Sequence, residues 1–282
     1  MKEIRFVNDR GSSLTLGDDS DYVIFDISGI SPPNANISTS AIAGFDGATF
    51  INSTVNQRNI VITLHLRGDI EANRLKLYDV FKIKRKGTFY YHSDLIEAKI
   101  DAYVESVNIP PMSYPVRAFI SLLCPKPYFE SLNERAVDIT SIDYLLDFPL
   151  EIVSPGIELG SLNTTDPVNV INNGNIPIGM IIQMRANGAV VNPKLINTQT
   201  LEFIELNTEM EAGDVITINT EIGQKRIQRN RNGDIDNLFN ALELGSTFIQ
   251  LHEGDNVLIG VAESGSNSLF IEVQYRVKYS GV

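Results

Sequence analysis

Apolar and polar residues alternate along much of the chain with a period of two, the spacing that puts every second side chain on one face of a strand. From Arg58 to Arg67, Ile60, Ile62, Leu64 and Leu66 share a face. Asn59, Thr63, His65 and Arg67 oppose them, with Val61 as the one apolar member of the outward set. In a second run Ala98, Ile100, Ala102 and Val104 face a core while Glu97, Lys99, Asp101, Tyr103 and Glu105 face outward. In a third, Leu269, Ile271, Val273, Tyr275, Val277 and Tyr279 oppose Ser268, Phe270, Glu272, Gln274, Arg276 and Lys278. Each pattern predicts an antiparallel strand whose second face meets water or a partner.

One segment breaks the period. IEANRLKLYDVFKIK, after Gly68, is rich in unbranched helix formers and predicts a helix capped by Asp69 with the stripe Ile70, Leu75, Leu77, Tyr78 and Phe81. Lys82, Lys84, Arg85 and Lys86 are expected in its last turn, complementing the helix dipole, with Gly87 as a left-handed stop. The other reading of that cluster is contact with an acidic neighbour. In the second half of the chain, turn signals recur at Asn173-Gly174, Asn187-Gly188, Gly213-Asp214, Asn232-Gly233 and Gly254-Asp255, the rhythm of an all-β sandwich. At 282 residues the chain has room for roughly two domains. The weak stretch between Tyr128 and Pro167 places the boundary near residue 135, giving domains 1–135 and 136–282. The expected fold is mainly β: an N-terminal β-rich domain with one α-helix, then a C-terminal β-sandwich.

Composition removes several functions. The formal net charge is -12, which opposes a phosphate-binding surface and hence specific nucleic-acid binding. The longest apolar runs, Ala118 to Cys124 and Ile176 to Ile182, are strand-sized, so no membrane insertion is expected. The opening MKEIRFVNDR lacks an apolar stretch and a small-residue cleavage site, which predicts synthesis in a cytoplasm. Cys124 is the single cysteine, so no multi-cysteine metal site forms, and its plain reading is a small buried hydrophobe. None of His65, His92 and His252 sits in a catalytic motif. The acidic runs Asp18-Asp19-Ser20-Asp21 and Asn230 to Asp236 depart from the twelve-residue calcium loop, and the second reads as a solvated hairpin tip. No glycine-rich phosphate loop leads into a helix. No enzyme, cofactor or metal site is expected. Sugar recognition usually uses flat aromatic rings, and the chain has no tryptophan, which weakens a carbohydrate-binding module as the alternative function.

The order of several segments resembles the distal tail protein (Dit) family of long-tailed, non-contractile, siphovirus-type bacteriophages. These are RNIVITLHLRGDIEANRLKLYDVF (Arg58 to Phe81), IDAYVESV (Ile100 to Val107), CPKPYF (Cys124 to Phe129), VINNGNIPIGMIIQMRANGAVVNPKLIN, AGDVITINT, HEGDN and the terminal YSGV. Phe129 stands where members often carry tryptophan, and the hairpin RIQRNRNGDID is irregular for the family. The resemblance implies an N-terminal domain that forms a six-membered ring, single or back to back, and a peripheral C-terminal sandwich like galectins or carbohydrate-binding modules. It implies a virion tail-tip location and, as partners, the tail-tube protein, the tail-associated tip protein, the tape-measure protein and in some phages a receptor-binding protein. A ring needs heterologous contacts between identical chains. Lys99, Asp101, Tyr103 and Glu105, with complementary charges and one aromatic side chain, are the candidate subunit-interface residues, and a solvated sheet face is their plain alternative. The acidic balance would also suit a lumen along which DNA slides without binding.

Overall fold

The computed structural model describes residues 3–44, 46–110, 114–144, 160–163 and 166–282. The chain divides into two compact units: Met1–Leu132 with Lys278–Val282, and Asn133–Val277.

Unit one contains β1 (Glu3–Asn8), β2 (Ser13–Leu16), β3 (Tyr22–Ser28), β4 (Ala35–Ala41), β5 (Ala48–Val55), β6 (Arg58–Leu66), α1 (Ile70–Val80), β7 (Lys86–His92), β8 (Glu97–Asn108), β9 (Arg117–Cys124) and β10 (Phe129–Ser131). Its main sheet runs β2-β1-β7-β8-β9-β6-β3, with every neighbouring pair antiparallel. The predicted alternation of β6 and β8 is seen directly: Ile60, Ile62, Leu64, Ala98, Ile100, Ala102 and Val104 are all buried. They join a core that includes Phe6, Phe89, Phe129 and, from the helix side, Leu77, Val80 and Phe81. The Phe6 and Phe81 rings stack with centroids 4.5 Å apart. A buried side chain of this size contributes about 2 kcal/mol, so these rings and aliphatics are what hold the helix to the sheet.

Asp69 caps α1 as expected, its carboxylate accepting the Ala72 N–H at 3.1 Å. The rest of the helix reading needs correction. The buried residues are Leu77, Val80 and Phe81, while Leu75 and Tyr78 are exposed. The helix ends at Val80, so the basic cluster lies beyond its last turn. Lys82 instead pairs with Asp79 at 2.7 Å, Arg85 with Asp9 at 3.1 Å and Lys86 with Asp101 at 2.7 Å. Lys84, not Gly87, carries the positive φ. Gly87 is a buried strand residue, and a Cβ there would sit 2.3 Å from the Phe6 ring.

Unit two contains β11 (Arg135–Asp138), β12 (Ser141–Tyr144), β13 (Gly160–Asn163), β14 (Val168–Asn172), β15 (Ile181–Ala186), β16 (Val190–Asn197), β17 (Phe203–Glu205), β18 (Glu209–Met210), β19 (Val215–Asn219), β20 (Arg226–Arg231), β21 (Asp234–Asn237), β22 (Gly254–Ser264) and β23 (Leu269–Tyr275). One sheet runs β11-β23-β15-β19-β20-β21, and another runs β14-β22-β16-β17, with β18 also on β16. They pack face to face: Gly260 of β22 leaves room for Ile271 of β23, whose Cδ1 would lie 2.6 Å from an added Cβ. This is the sandwich the turn spacing predicts. Asn232 and Gly233, both at positive φ, close the β20–β21 hairpin as a two-residue turn whose twist matches the strands. All four residues of β21, the outermost strand of its sheet, are exposed.

The terminal alternation predicted as one strand is two. β23 stays in unit two, whereas β24 (Lys278–Tyr279) pairs with β10 of unit one, Phe129 opposite Tyr279 and Glu130 opposite Lys278. The period persists across the break because Val277 is buried and Tyr279 packs partly buried against the unit-one core, and alternation does not say which sheet a residue joins.

Candidate functional site

The four candidate interface residues of β8, Lys99, Asp101, Tyr103 and Glu105, sit on the central strand of the unit-one sheet, with different surroundings. Asp101 accepts from Lys86 Nζ at 2.7 Å and Thr88 Oγ1 at 3.3 Å. Its hydrogen bond raises the Lys86 ammonium above the ordinary lysine value. Glu105 sits at a bulge between Val104 and Ser106, where the extra residue re-aims the side chain. Its Oε2 accepts Ser121 Oγ at 2.6 Å and Asn59 Nδ2 at 2.8 Å, and these two donors, Ser121 first, hold the carboxylate below its usual range. Lys99 is half-buried between Tyr90 and Glu130 in the register. With Asp101, Lys126, Tyr128 and Glu130 it lines a shallow depression. Tyr103 lies between Lys86 and Leu123, its ring 41% exposed. Asp101 and Glu105 thus spend acceptor capacity within their own chain, and Tyr103 carries the free contact surface.

Sequence reasoning missed the neighbours of these residues. Val61, Phe119 and Phe25 stand exposed on the same outer face, on β6, β9 and β3, and the hydrogen-bonded Glu105, Ser121 and Asn59 lie between Val61 and Tyr103. Phe25 is packed between His65, centroids 4.7 Å apart, and the Arg117 guanidinium, 4.7 Å from its ring. Val61 was the visible signal, an apolar residue in the outward set of its strand.

The second missed feature is the hairpin of β4 and β5. The two strands pair only with each other, from Ala35 opposite Val55 to Ala41 opposite Ala48. Every residue of β4 and all but Val55 of β5 are exposed, among them Ile37 at 65%, Phe50 at 60% and Ile51 at 61%. Ile42, just past β4, is also exposed. The signal was Asp46-Gly47 between two Ser/Thr/Asn-rich runs that carry isolated large hydrophobics.

The imidazoles are dispersed: His65 on Phe25, His92 with Nε2 3.2 Å from Glu97, His252 exposed in a turn. Among the described residues no three His, Cys, Asp or Glu side chains converge as metal ligands, and no helix is long and apolar enough to cross a membrane. Cys124 is fully buried, and burial pushes its thiol up to about 12.

Residues 9–124 match the phage tail protein RIFT-related domain, and residues 173–279 match the siphovirus-type tail component, C-terminal domain. The first match lies in unit one and the second covers unit two from residue 173 to its end, running on into Lys278 and Tyr279 of unit one. The chain belongs to the siphovirus-type distal tail protein family. It is a structural tail protein by family, with a virion tail location. The Dit fold is also seen in the crystal structure of the SPP1 Dit protein (gp 19.1), described as a paradigm of hub adsorption apparatus in phages infecting Gram-positive hosts. That structure is 13% identical with a TM-score of 0.66, over 98% of this chain and 98% of that one. Two structures of the phage p2 baseplate in its activated conformation, with calcium and with strontium, align over 100% of both chains at 11% and 10% identity, with TM-scores of 0.46 and 0.45. No curated protein sequence matches the chain.

Proposed function

We propose that six copies of this chain form a ring at the distal end of a phage tail, joining the tail tube to the tip and adsorption apparatus. The observation that carries the self-association is the β4–β5 hairpin. A lone two-stranded hairpin is marginal in water, and this one displays Ile37, Ile42, Phe50 and Ile51 to solvent. A second copy of the chain is its occupant, because a head-to-tail ring presents each protruding arm with the same complementary surface on the next subunit. The outer sheet face supplies that surface: Tyr103, Val61, Phe119 and Phe25 give apolar area, and Lys99, Asp101 and Glu105 give a polar rim. The tail-tube, tail-associated tip and tape-measure proteins are the proposed axial partners, with a receptor-binding protein on the periphery as the SPP1 relative's hub description suggests. The net charge of -12 fits a lumen that does not retain DNA. Light scattering on the purified chain should give about six times the 31.3 kDa chain mass, or twelve for paired rings. A monomer at 100 µM (on the order of the local concentrations assembly needs) overturns the ring.

A carbohydrate-binding role for unit two is the second reading. One observation favours it: Phe239, 43% exposed, stacks on Phe248 at 5.8 Å with Lys225 Nζ 4.9 Å from the Phe248 ring. A glycan array separates the two readings, and loss of a hit in Phe239→Ala would locate the site.

A further inference from the structure

Arg58 is 3% exposed and spends its guanidinium on backbone carbonyls from three separate stretches of unit one. Nε donates to Pro127 O at 2.7 Å, Nη1 to Gly29 O at 2.5 Å and Ser31 O at 2.9 Å, and Nη2 to Ser280 O. Its plane lies 4.7 Å above the fully buried Phe129 ring. The third stretch, Lys278–Val282, reaches unit one only after all of unit two has been traversed. There it adds β24 to β10, seats Tyr279 and Val282 against the core, and donates the Val282 N–H to Ile30 O at 3.0 Å. Gly281 lies so close to the loop of residues 31–32 that a Cβ would sit 2.7 Å from Pro32 Cδ.

We propose that Lys278–Val282 is a latch of unit one, and that the docking surfaces of this unit are completed only when the latch reaches the Arg58 socket. The 29–32 loop that Arg58 and Val282 pin leads directly into β4, so the latch fixes the root of the hairpin arm. A chain cut anywhere within unit two lacks the latch. Resting on the ring reading above, the consequence is that a truncated chain does not compete with complete copies for places in a ring.

The test is hydrogen exchange with mass spectrometry on the full chain, on a chain ending at Val277, and on full-length Gly281→Val, which blocks seating without removing residues. Expected is at least about tenfold faster exchange in peptides covering residues 124–131, which include the β10 partners of β24, in both variants, with peptides covering 181–186 and 215–219 unchanged. Unchanged protection at 124–131 overturns the latch, and so does an equal loss in both units, which would make the segment a general stabiliser. Light scattering of each sample, alone and mixed with the wild-type chain, keeps the two proposals apart. A monomeric wild type with the expected exchange pattern removes the ring and keeps the latch. A hexameric wild type that admits the shortened chain as readily as its own removes the latch's role in assembly.

Discussion

Arg231 closes on Asp214 through two nitrogens, Nε lying 2.8 Å from Oδ1 and 3.1 Å from Oδ2 while Nη2 reaches Oδ2. Asp214 is only 2% exposed, and Arg231 also reaches Glu211 at 3.0 Å. The pair ties the end of β20 to the turn before β19, and the Arg231 hydrogen bond holds the Asp214 carboxylate below its ordinary value. A carboxylate with a depressed folded pKa contributes stability that is complete above the unfolded carboxylate pKa and is lost as pH falls through the folded value. Asp214→Asn should therefore lower the urea midpoint of unit two at pH 7, on the order of 1–3 kcal/mol, and this difference from the wild type should shrink as the pH is taken below about 4. A pH-independent difference would assign the effect to packing.

Arg58→Ala strips donors from four backbone carbonyls at once. The loss should be about 3 kcal/mol in unit one, read as a lower denaturation midpoint in tyrosine fluorescence and circular dichroism. Arg58→Lys recovers only part of it, since an ammonium lacks the planar fork that spans three directions.

Cys124, with its thiol at about 12, stays protonated and enclosed at pH 8. A disulfide exchange reagent should leave it unmodified in the native protein and label it within minutes in denaturant. Rapid native labelling would mean that β9 opens locally.

Phe50→Asp changes a side chain that is 60% exposed and supports no core. Folding stability should move by less than about 0.5 kcal/mol while the scattering mass falls toward one chain. An intact ring in this variant would take the hairpin out of the assembly.

Of the four candidate interface residues of β8, Tyr103 should matter most to assembly. Tyr103→Ala is expected to weaken self-association by about 2 kcal/mol, whereas Glu105→Gln, whose side chain keeps its bonds to Ser121 and Asn59 within reach, should change it little. Concentration-dependent light scattering distinguishes the two. The reverse order would shift the interface from the Tyr103 ring to the charged rim.

Where a residue's role depends on which face of its own strand it occupies, the order of residues is enough. Ile60, Ile62, Ala98 and Val104 were legible for that reason, as were the Asp69 cap and the Asn232-Gly233 turn. Roles set by distant segments were not legible. Arg58 looks like the polar start of a strand, and its acceptors lie 27 to 222 residues away along the chain. Leu75 and Tyr78 have helical spacing with each other, yet the core contacts only the side of α1 that bears Leu77 and Val80. The hairpin arm was missed because its faces are both wet, leaving none of the hydrophobic alternation by which buried strands announce themselves.

β21 leaves Asp234-Ile235-Asp236-Asn237 along the open margin of its sheet, with Asp236 held 2.9 Å from Arg229. The proposed ring would bring such margins near their twins, the circumstance in which unpaired backbone groups zip sheets into fibrils. Two carboxylates at that border would repel the identical strand of a neighbouring copy and keep such a ring from turning into an aggregate.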